Sequence, residues 1–163
     1  MLQTKLGANF CIGGYTPVSK YPEWWDTTIT VFNKYEDPAN RKITWYKTVI
    51  ENCFWKHTGN KIVVGETTLD TNSTLCRIPE QDTFLEKYIW NELQDKSGHF
   101  TLSGGDIIIK GAVEEVIDEY ASGKRSSDIL AKYKKLQNCM MIEQCSVNTG
   151  LGRGLEHYYV RGV

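Results

Sequence analysis

The chain has 163 residues, 40% of them hydrophobic and 24% charged. That is one domain of ordinary globular composition, which excludes a disordered, collagen-like or disulfide-scaffold chain. Nineteen basic residues face twenty acidic ones for a formal net charge of −1. General duplex binding draws on a basic excess, which this chain lacks; a local basic patch is the one basic feature its balance leaves open.

Residues 1–25 read as an extended N-terminal arm, and residues 26–163 as a single β-rich domain. Gly7, Gly13, Gly14, Pro17 and Pro22 interrupt any regular pattern in the arm. Its aromatics, among them Phe10, Tyr15, Tyr21, Trp24 and Trp25, favour burial that so irregular a segment cannot supply by itself. The arm is therefore expected to order on assembly and clamp a neighbour. Trp24 and Trp25 are adjacent and cannot both face one core from a strand, so one covers the domain edge or meets a partner. Nothing in Met1–Tyr15 forms the continuous apolar stretch of a signal peptide.

From Thr27 the pattern is that of a strand, with Ile29, Val31 and Asn33 on one face and Thr28, Thr30 and Phe32 on the other. Glu36–Asn40 is a turn cluster around Pro38. Lys42–Lys56 follows as one long strand whose inward face switches near Val49–Asn52, as a β-bulge allows. Thr58-Gly59-Asn60 is the predicted hairpin turn, with Lys61–Gly65 returning. Leu75–Ile78 is a further short strand stopped by Pro79.

Between Asp82 and Leu93, Phe84, Leu85, Tyr88, Ile89 and Leu93 recur at helical spacing and suggest a turn or two of helix. Ser103-Gly104-Gly105-Asp106 then turns into Ile107–Gly111, a run apolar enough for a central strand. Val113–Tyr120 reads as a strand or a helical turn. A second helix is capped by Ser126 or Ser127, with Ile129, Leu130, Tyr133 and Leu136 as its apolar stripe. Cys139–Asn148 is a strand, Gly150–Gly154 a loop, and Glu156–Arg161 a last strand or extended tail. The expected fold is mainly β: a small antiparallel β-barrel or curled sheet with one or two helical insertions. Its expected core is Ile29, Val31, Trp45, Ile62, Val64, Ile78, Ile107 and Ile109.

No pattern in the chain assigns a catalytic, metal-binding or cofactor-binding residue, and no enzymatic activity or cofactor is expected. Cys11, Cys53, Cys76, Cys139 and Cys145 are odd in number and form no C-x-x-C. They read as small buried hydrophobes in a reducing compartment. Cys139 and Cys145, six apart on a strand, are expected on one face. Cys53 and His57 would lie roughly 13 Å apart on an extended strand, too far for proton transfer. His57, His99 and His157 have no ligand spacing. Glu114-Glu115 and Asp118-Glu119 alternate with apolar residues as a solvated face would. Ser122–Ser127 lacks the glycine a P-loop needs five residues before its Gly-Lys, and Gly150–Gly154 lacks a dinucleotide fingerprint. Asn72-Ser73-Thr74 fits a glycosylation acceptor, but no secretory signal accompanies it.

One order of elements carries a resemblance. Ile29-Thr30-Val31-Phe32-Asn33-Lys34 leads through a turn to Ile43–Val49. Cys53-Phe54-Trp55, Cys76-Arg77-Ile78-Pro79 and Phe100–Gly111 follow. From about Asp26 to Val113 this resembles tailed-phage head–tail connector proteins, especially the head closure (stopper) group and related minor structural proteins of phages of Gram-positive hosts. The Ile78-Pro79 pair and Gly105-Asp106-Ile107-Ile108-Ile109-Lys110-Gly111 carry most of it. The arm and the segment Val113–Val163 depart from a minimal closure barrel and leave open a closure ring, an adaptor or a tail completion protein.

The resemblance implies a β-barrel without enzymatic activity, in the virion neck after assembly in the host cytoplasm. It would be joined to itself in a cyclic ring, to a portal or adaptor protein on the head side and to a tail protein on the other. Packaged DNA would pass through the lumen without sequence specificity, and no membrane is involved. Ring subunits need sticky arms and edges, so the expected subunit or partner contacts are Phe10, Tyr15, Trp24, Trp25, Tyr158, Tyr159 and Arg161. The expected channel-facing loop is Lys56, His57, Asn60 and Lys61, with Glu66–Ser73 the other choice. A single-stranded nucleic-acid-binding barrel, stacking bases on its aromatics, is the alternative from another class.

Overall fold

Strand β1 (Thr27–Glu36) forms from the expected alternation, and Ile29 and Val31 are fully buried. It pairs antiparallel with β2 (Ile43–Val64), from Glu36 opposite Ile43 to Thr27 opposite Cys53. The computed structural model describes residues 21–149 and 155–163, with backbone alone at residues 60, 62 and 68–71. Residues 1–20, with Phe10, Cys11 and Tyr15, and the glycine loop at 150–154 lie outside the described residues.

The register of β1 and β2 slips between Thr27 and Ile29, and Asn52 sits at φ 58°. This is the bulge, within the stretch expected for it. The inward face changes there: Ile50 is buried before it and Cys53 after it, three positions on. The bulge is also a corner. Before it β2 pairs with β1, and after it with β3 (Thr67–Pro79).

The hairpin turn is not at Thr58-Gly59-Asn60, which pairs in the ladder opposite Ser73, Asn72 and Thr71 respectively. β2 runs on to Val64, and the chain reverses through Gly65-Glu66, where Gly65 at φ 63° supplies the left-handed backbone that a two-residue turn needs. The segment Leu75–Ile78 is thus the end of β3 and no separate strand.

Short helix α1 (Lys87–Glu92), strand β4 (Ile107–Lys110), helix α2 (Ser126–Lys134), β5 (Cys139–Asn148) and β6 (His157–Gly162) complete the described elements. The strands close a barrel in the order β1-β2-β3-β6-β5-β4, every pair antiparallel. β5 is the second corner. Its register with β6 shifts between Ile142 and Gln144, so the two strands shared by both curled sheets each carry a bulge. That shift places Cys139 and Cys145 on opposite faces, correcting the single face expected for them. Cys139 packs in the outer apolar cluster, and Cys145 packs against the interior one.

The interior cluster includes Ile29, Val31, Ile50, Cys53, Ile78, Ile108, Met140 and Val160. The outer cluster includes Phe32, Ile107, Ile109, Ile117 and Ile129 between the sheet and α2. Ile108 and Ile109 are therefore both buried, on opposite faces of β4. Of the expected core, Trp45 is half-buried against the outer cluster and Val64 is 60% exposed near the ribbon tip. Val64 leaves the core because the turn comes later than expected and carries it beyond the barrel. The side chain of Ile62 lies outside the described residues. In α2, Arg125 occupies the cap in place of either serine, and its backbone N–H donates to the Asp128 carboxylate at 3.2 Å. The helix ends at Lys134, so Leu136 drops out of the stripe and is exposed.

One barrel end is stitched by buried polar groups. The Asn33 amide donates to the Thr101 carbonyl at 2.6 Å and to the Asp106 carboxylate at 2.9 Å. Asp106 also accepts the backbone N–H of Lys34 at 2.9 Å and of Ser103 at 3.1 Å. Burial raises the Asp106 pKa despite the Lys87 ammonium 3.8 Å away. The Ser103–Asp106 turn is thus a structural clasp.

Candidate functional site

Three surfaces are left after the barrel has closed. The first is a ribbon. β2 pairs with β1 no further than Cys53, and β3 pairs with β6 only from Thr74 to Pro79. The seven pairs from Thr58–Ser73 to Val64–Thr67 therefore project from the barrel as a two-stranded ribbon, with neither edge paired among the described residues. At about 3.3 Å per residue it extends roughly 23 Å. Val63 and Val64 near its tip are 69% and 60% exposed.

Lys56, His57, Asn60 and Lys61 all lie in β2, so they are strand and not the channel-facing loop expected of them. The error follows from the misplaced turn. His57 sits at the ribbon base, its Nδ1 2.9 Å from the Thr74 hydroxyl. Lys56 and Lys61 are exposed, and the Asn60 side chain lies outside the described residues. Of the alternative stretch, Glu66–Ser73, Glu66 alone belongs to the turn and the rest is β3.

The second surface is the outer face of β2, β3 and β6. The register aligns Phe54, Arg77 and Tyr159 in one row and Lys56, Leu75 and Arg161 in the next. Trp24 meets Phe54 edge-on at 5.4 Å, and the Arg77 guanidinium lies 5.5 Å from the Phe54 ring centre. Four residues singled out from sequence, Trp24, Lys56, Tyr159 and Arg161, thus meet on one face. Phe54 and Arg77 were missed. Arg77 stands between buried Cys76 and Ile78, and that alternation alone marks it as outward.

Trp25 and Tyr158 are corrections, since the chain itself buries them to 5% and 4% exposure and leaves neither for a partner. Trp25 stacks on Tyr21 at 5.1 Å and meets His157 edge-on. Tyr158 lies against Phe84 at 4.2 Å inside the barrel. Of the adjacent tryptophans, one therefore faces inward and the other, Trp24, remains exposed.

The third surface is an open groove of about 750 Å³ between the start of β2 and the segment Val113–Tyr120. That segment is neither strand nor helix. Ile43, Trp45, Val116, Ile117 and Tyr120 give the groove an apolar lining, with Lys42 and Asp118 also on its walls. Its carboxylates are not simply a solvated face. Glu119 accepts the Trp45 indole N–H at 2.9 Å, and Glu115 accepts the Tyr133 hydroxyl at 2.6 Å and the Lys132 ammonium. Those bonds hold Glu115 down at a pKa of about 2. The Ile43 N–H donates to the Tyr120 hydroxyl at 3.0 Å.

Among the described residues, no group of three His, Cys, Asp or Glu is placed to hold a metal ion. Burial pushes the Cys76 and Cys139 thiols up, and the Cys145 thiol to about 11. These thiols are protonated near neutral pH and are poor nucleophiles. What the geometry offers is shape and stickiness: a closed antiparallel barrel with an overlong ribbon, an aromatic and basic face, and an apolar groove. The chain belongs to a family of unknown function, DUF6751, whose model matches residues 24–163. No curated protein and no solved structure matches it.

Proposed function

We propose that the chain is a structural subunit of a tailed-phage neck, forming a ring between portal and tail that closes the head and passes DNA. The observation that carries this reading is the ribbon. Two strands extend seven residue pairs beyond a closed barrel, with neither edge paired among the described residues and two valines exposed near the tip. A two-stranded ribbon is marginal by itself in water, so such a device suits a chain whose neighbours cover it. Together with the motif order that resembles head closure proteins, it favours an assembly subunit over a freestanding barrel. Its partners are copies of itself, a portal or adaptor protein above and a tail protein below. The face of Arg77, Lys56 and Arg161 offers cations to the phosphates of passing DNA without reading its sequence.

The test is to co-express the protein with the products of its neighbouring genes, image the complexes by electron microscopy, and search purified virions by mass spectrometry. Rings seated on a portal, and the protein present in virions at several copies per particle, are expected. Its absence from virions would overturn the reading.

A further inference from the structure

We infer that the outer face of β2, β3 and β6 binds single-stranded nucleic acid, with three cations for its phosphates and Trp24 as the ring on which a base stacks. The inference goes beyond the neck reading and does not rest on it, since duplex DNA passing through a lumen would use the cations alone. The register fixes the order of the side chains. One row across the sheet is Phe54, Arg77, Tyr159, and the next is Lys56, Leu75, Arg161. Lys56 and Arg161 are thus two strand spacings apart, about 10 Å, and Arg77 stands on the strand between them, one row along. The rows continue into β5 with the uncharged Ser146 and Gln144. The acids of β2, β3 and β5 lie off the rows, Glu51 and Glu143 at the two corners and Asp70 out on the ribbon, and β6 has none. Glu23 and Asp26 flank the tryptophan pair in the chain, so the cationic excess belongs to the rows and not to the side where the arm enters.

Two observations point to a ligand that carries both phosphates and open bases. The first is the state of the cations. Among the described residues, none of the three meets a carboxylate. Arg77 is half-buried, its guanidinium lies 5.5 Å from the Phe54 ring centre, and its Nε is enclosed with no hydrogen-bond partner. A cation partly withdrawn from water and short of an anion is costly, and a phosphate on the remaining guanidinium N–H groups offsets that cost. The second is Trp24. It meets Phe54 edge-on at 5.4 Å and Trp25 edge-on at 6.1 Å, yet remains 57% exposed. Those contacts hold the indole beside the cations without covering it. Bases of any identity stack on a held aromatic ring, and an unpaired strand has them to offer. A duplex keeps its bases stacked inside, and a chain of net charge −1 gives it no general attraction.

The experiment titrates the full chain into a fluorescein-labelled oligothymidylate of about 12 nucleotides, a length that fits one barrel-sized site, and reads anisotropy. The same strand annealed to its complement and an abasic strand of equal length are titrated beside it. The series starts at about 50 mM salt, where phosphate contacts are strong, and moves upward. The single strand is expected to bind more tightly than the duplex. Trp24→Ala should weaken the oligothymidylate at least about fivefold, the loss of one stacked base, and leave the abasic strand unchanged. Lys56→Gln, Arg77→Gln and Arg161→Gln should each flatten the slope of log affinity against log salt by about 0.7, one phosphate contact apiece. Lys56, Arg161 and Trp24 are exposed, and unchanged circular dichroism melts check that their variants fold. No binding of the oligothymidylate at low salt, a duplex that binds as tightly, or a Trp24→Ala chain that binds like wild type would overturn the inference. So would unchanged salt slopes in both Lys56→Gln and Arg161→Gln. Each of these results leaves the neck reading standing, which falls instead on absence from virions.

Discussion

The two halves of β2 live in different surroundings. From Ile43 to Cys53 the strand pairs with β1, and Ile50 and Cys53 point into an interior shared with Ile29, Ile108 and Met140. Beyond Thr58 the same strand has, among the described residues, only β3 beside it, and its valines are exposed. Residue type does not separate them sharply, since both halves carry β-branched apolar residues: Ile43, Val49 and Ile50 in the first, Ile62, Val63 and Val64 in the second. What differs is the cover. The first half is buried by strands of its own chain, and the second leaves the barrel after the corner at Asn52. A sequence of strand-forming residues thus builds a core on one side of a bulge and an unpartnered projection on the other.

The widest separation between the halves should come from one charged substitution in each. Ile108→Asp sets an unpaired carboxylate in the barrel interior, which costs several kcal/mol and is expected to abolish the cooperative melt. Ile109→Asp should do the same from the opposite face of β4, because α2 and the sheet bury that side too. Val64→Asp should leave the melting temperature unchanged. A cooperative native-like melt in Ile108→Asp would refute the barrel interior described above.

The clasp at the barrel end should come next. Asp106→Ala removes the acceptor for the Asn33 amide and the Lys34 and Ser103 backbone N–H groups. Each buried donor left unmet costs about 1–3 kcal/mol. Urea unfolding should therefore show a loss of several kcal/mol, whereas Asn72→Ala in the ribbon, where the side chain is exposed, should stay within about 0.5 kcal/mol. Equal effects at the two sites would remove the distinction between stitched barrel and free ribbon.

Much of the barrel was legible because alternation is a local signal. β1, the bulge on β2 and the bounds of β5 follow from which residues alternate, and Ile107-Ile108-Ile109 announces burial on both faces. The ribbon was misread because two turn signals lie seven residues apart, Thr58-Gly59-Asn60 and Gly65-Glu66. Which one turns the chain depends on the partner strand that β3 provides. The surfaces were harder still. Tyr120 meets Ile43 across 77 positions, and Asp106 meets Asn33 across 73. No local pattern encodes such pairs. Arg77 was readable from alternation, but its company with Trp24, Phe54 and Tyr159 required the register of three strands.

The β5 corner gives a smaller test of the same barrel. A Cβ at Gly162 would stand 1.9 Å from the Met141 carbonyl oxygen, which is backbone and cannot rotate away. Gly162→Ala should therefore push β6 from β5 at the bulge and cost about 1–3 kcal/mol in urea unfolding, the range for overpacking. Gly59 in the ribbon has only the Asn72 side-chain oxygen near its would-be Cβ, at 3.2 Å. That side chain is exposed and able to move, so Gly59→Ala should be the milder change. The opposite ranking would mean that the ribbon is packed more tightly than the corner.

The smallest effect is a matter of pH, and it bears on the groove. Glu115 ties the groove segment to α2 through Lys132 and Tyr133. Their bonds hold its folded pKa at about 2, against an ordinary 4.5. The carboxylate therefore contributes stability that is fully present above about 4.5 and lost as pH falls toward 2. Asp106 works in the opposite sense. Burial raises its folded value above the ordinary 3.8, so its ionisation opposes folding as pH rises from that value through the raised one. Part of the two contributions cancels in a wild-type melt. Glu115→Gln removes one side of the balance. It should melt slightly below wild type at neutral pH and converge with it near the bottom of the window. Because the lost bonds anchor the groove segment, hydrogen exchange at residues 113–120 should rise in this variant while the interior strands stay protected. Parallel melting curves across the whole window would show that Glu115 does not fasten this segment in the folded chain.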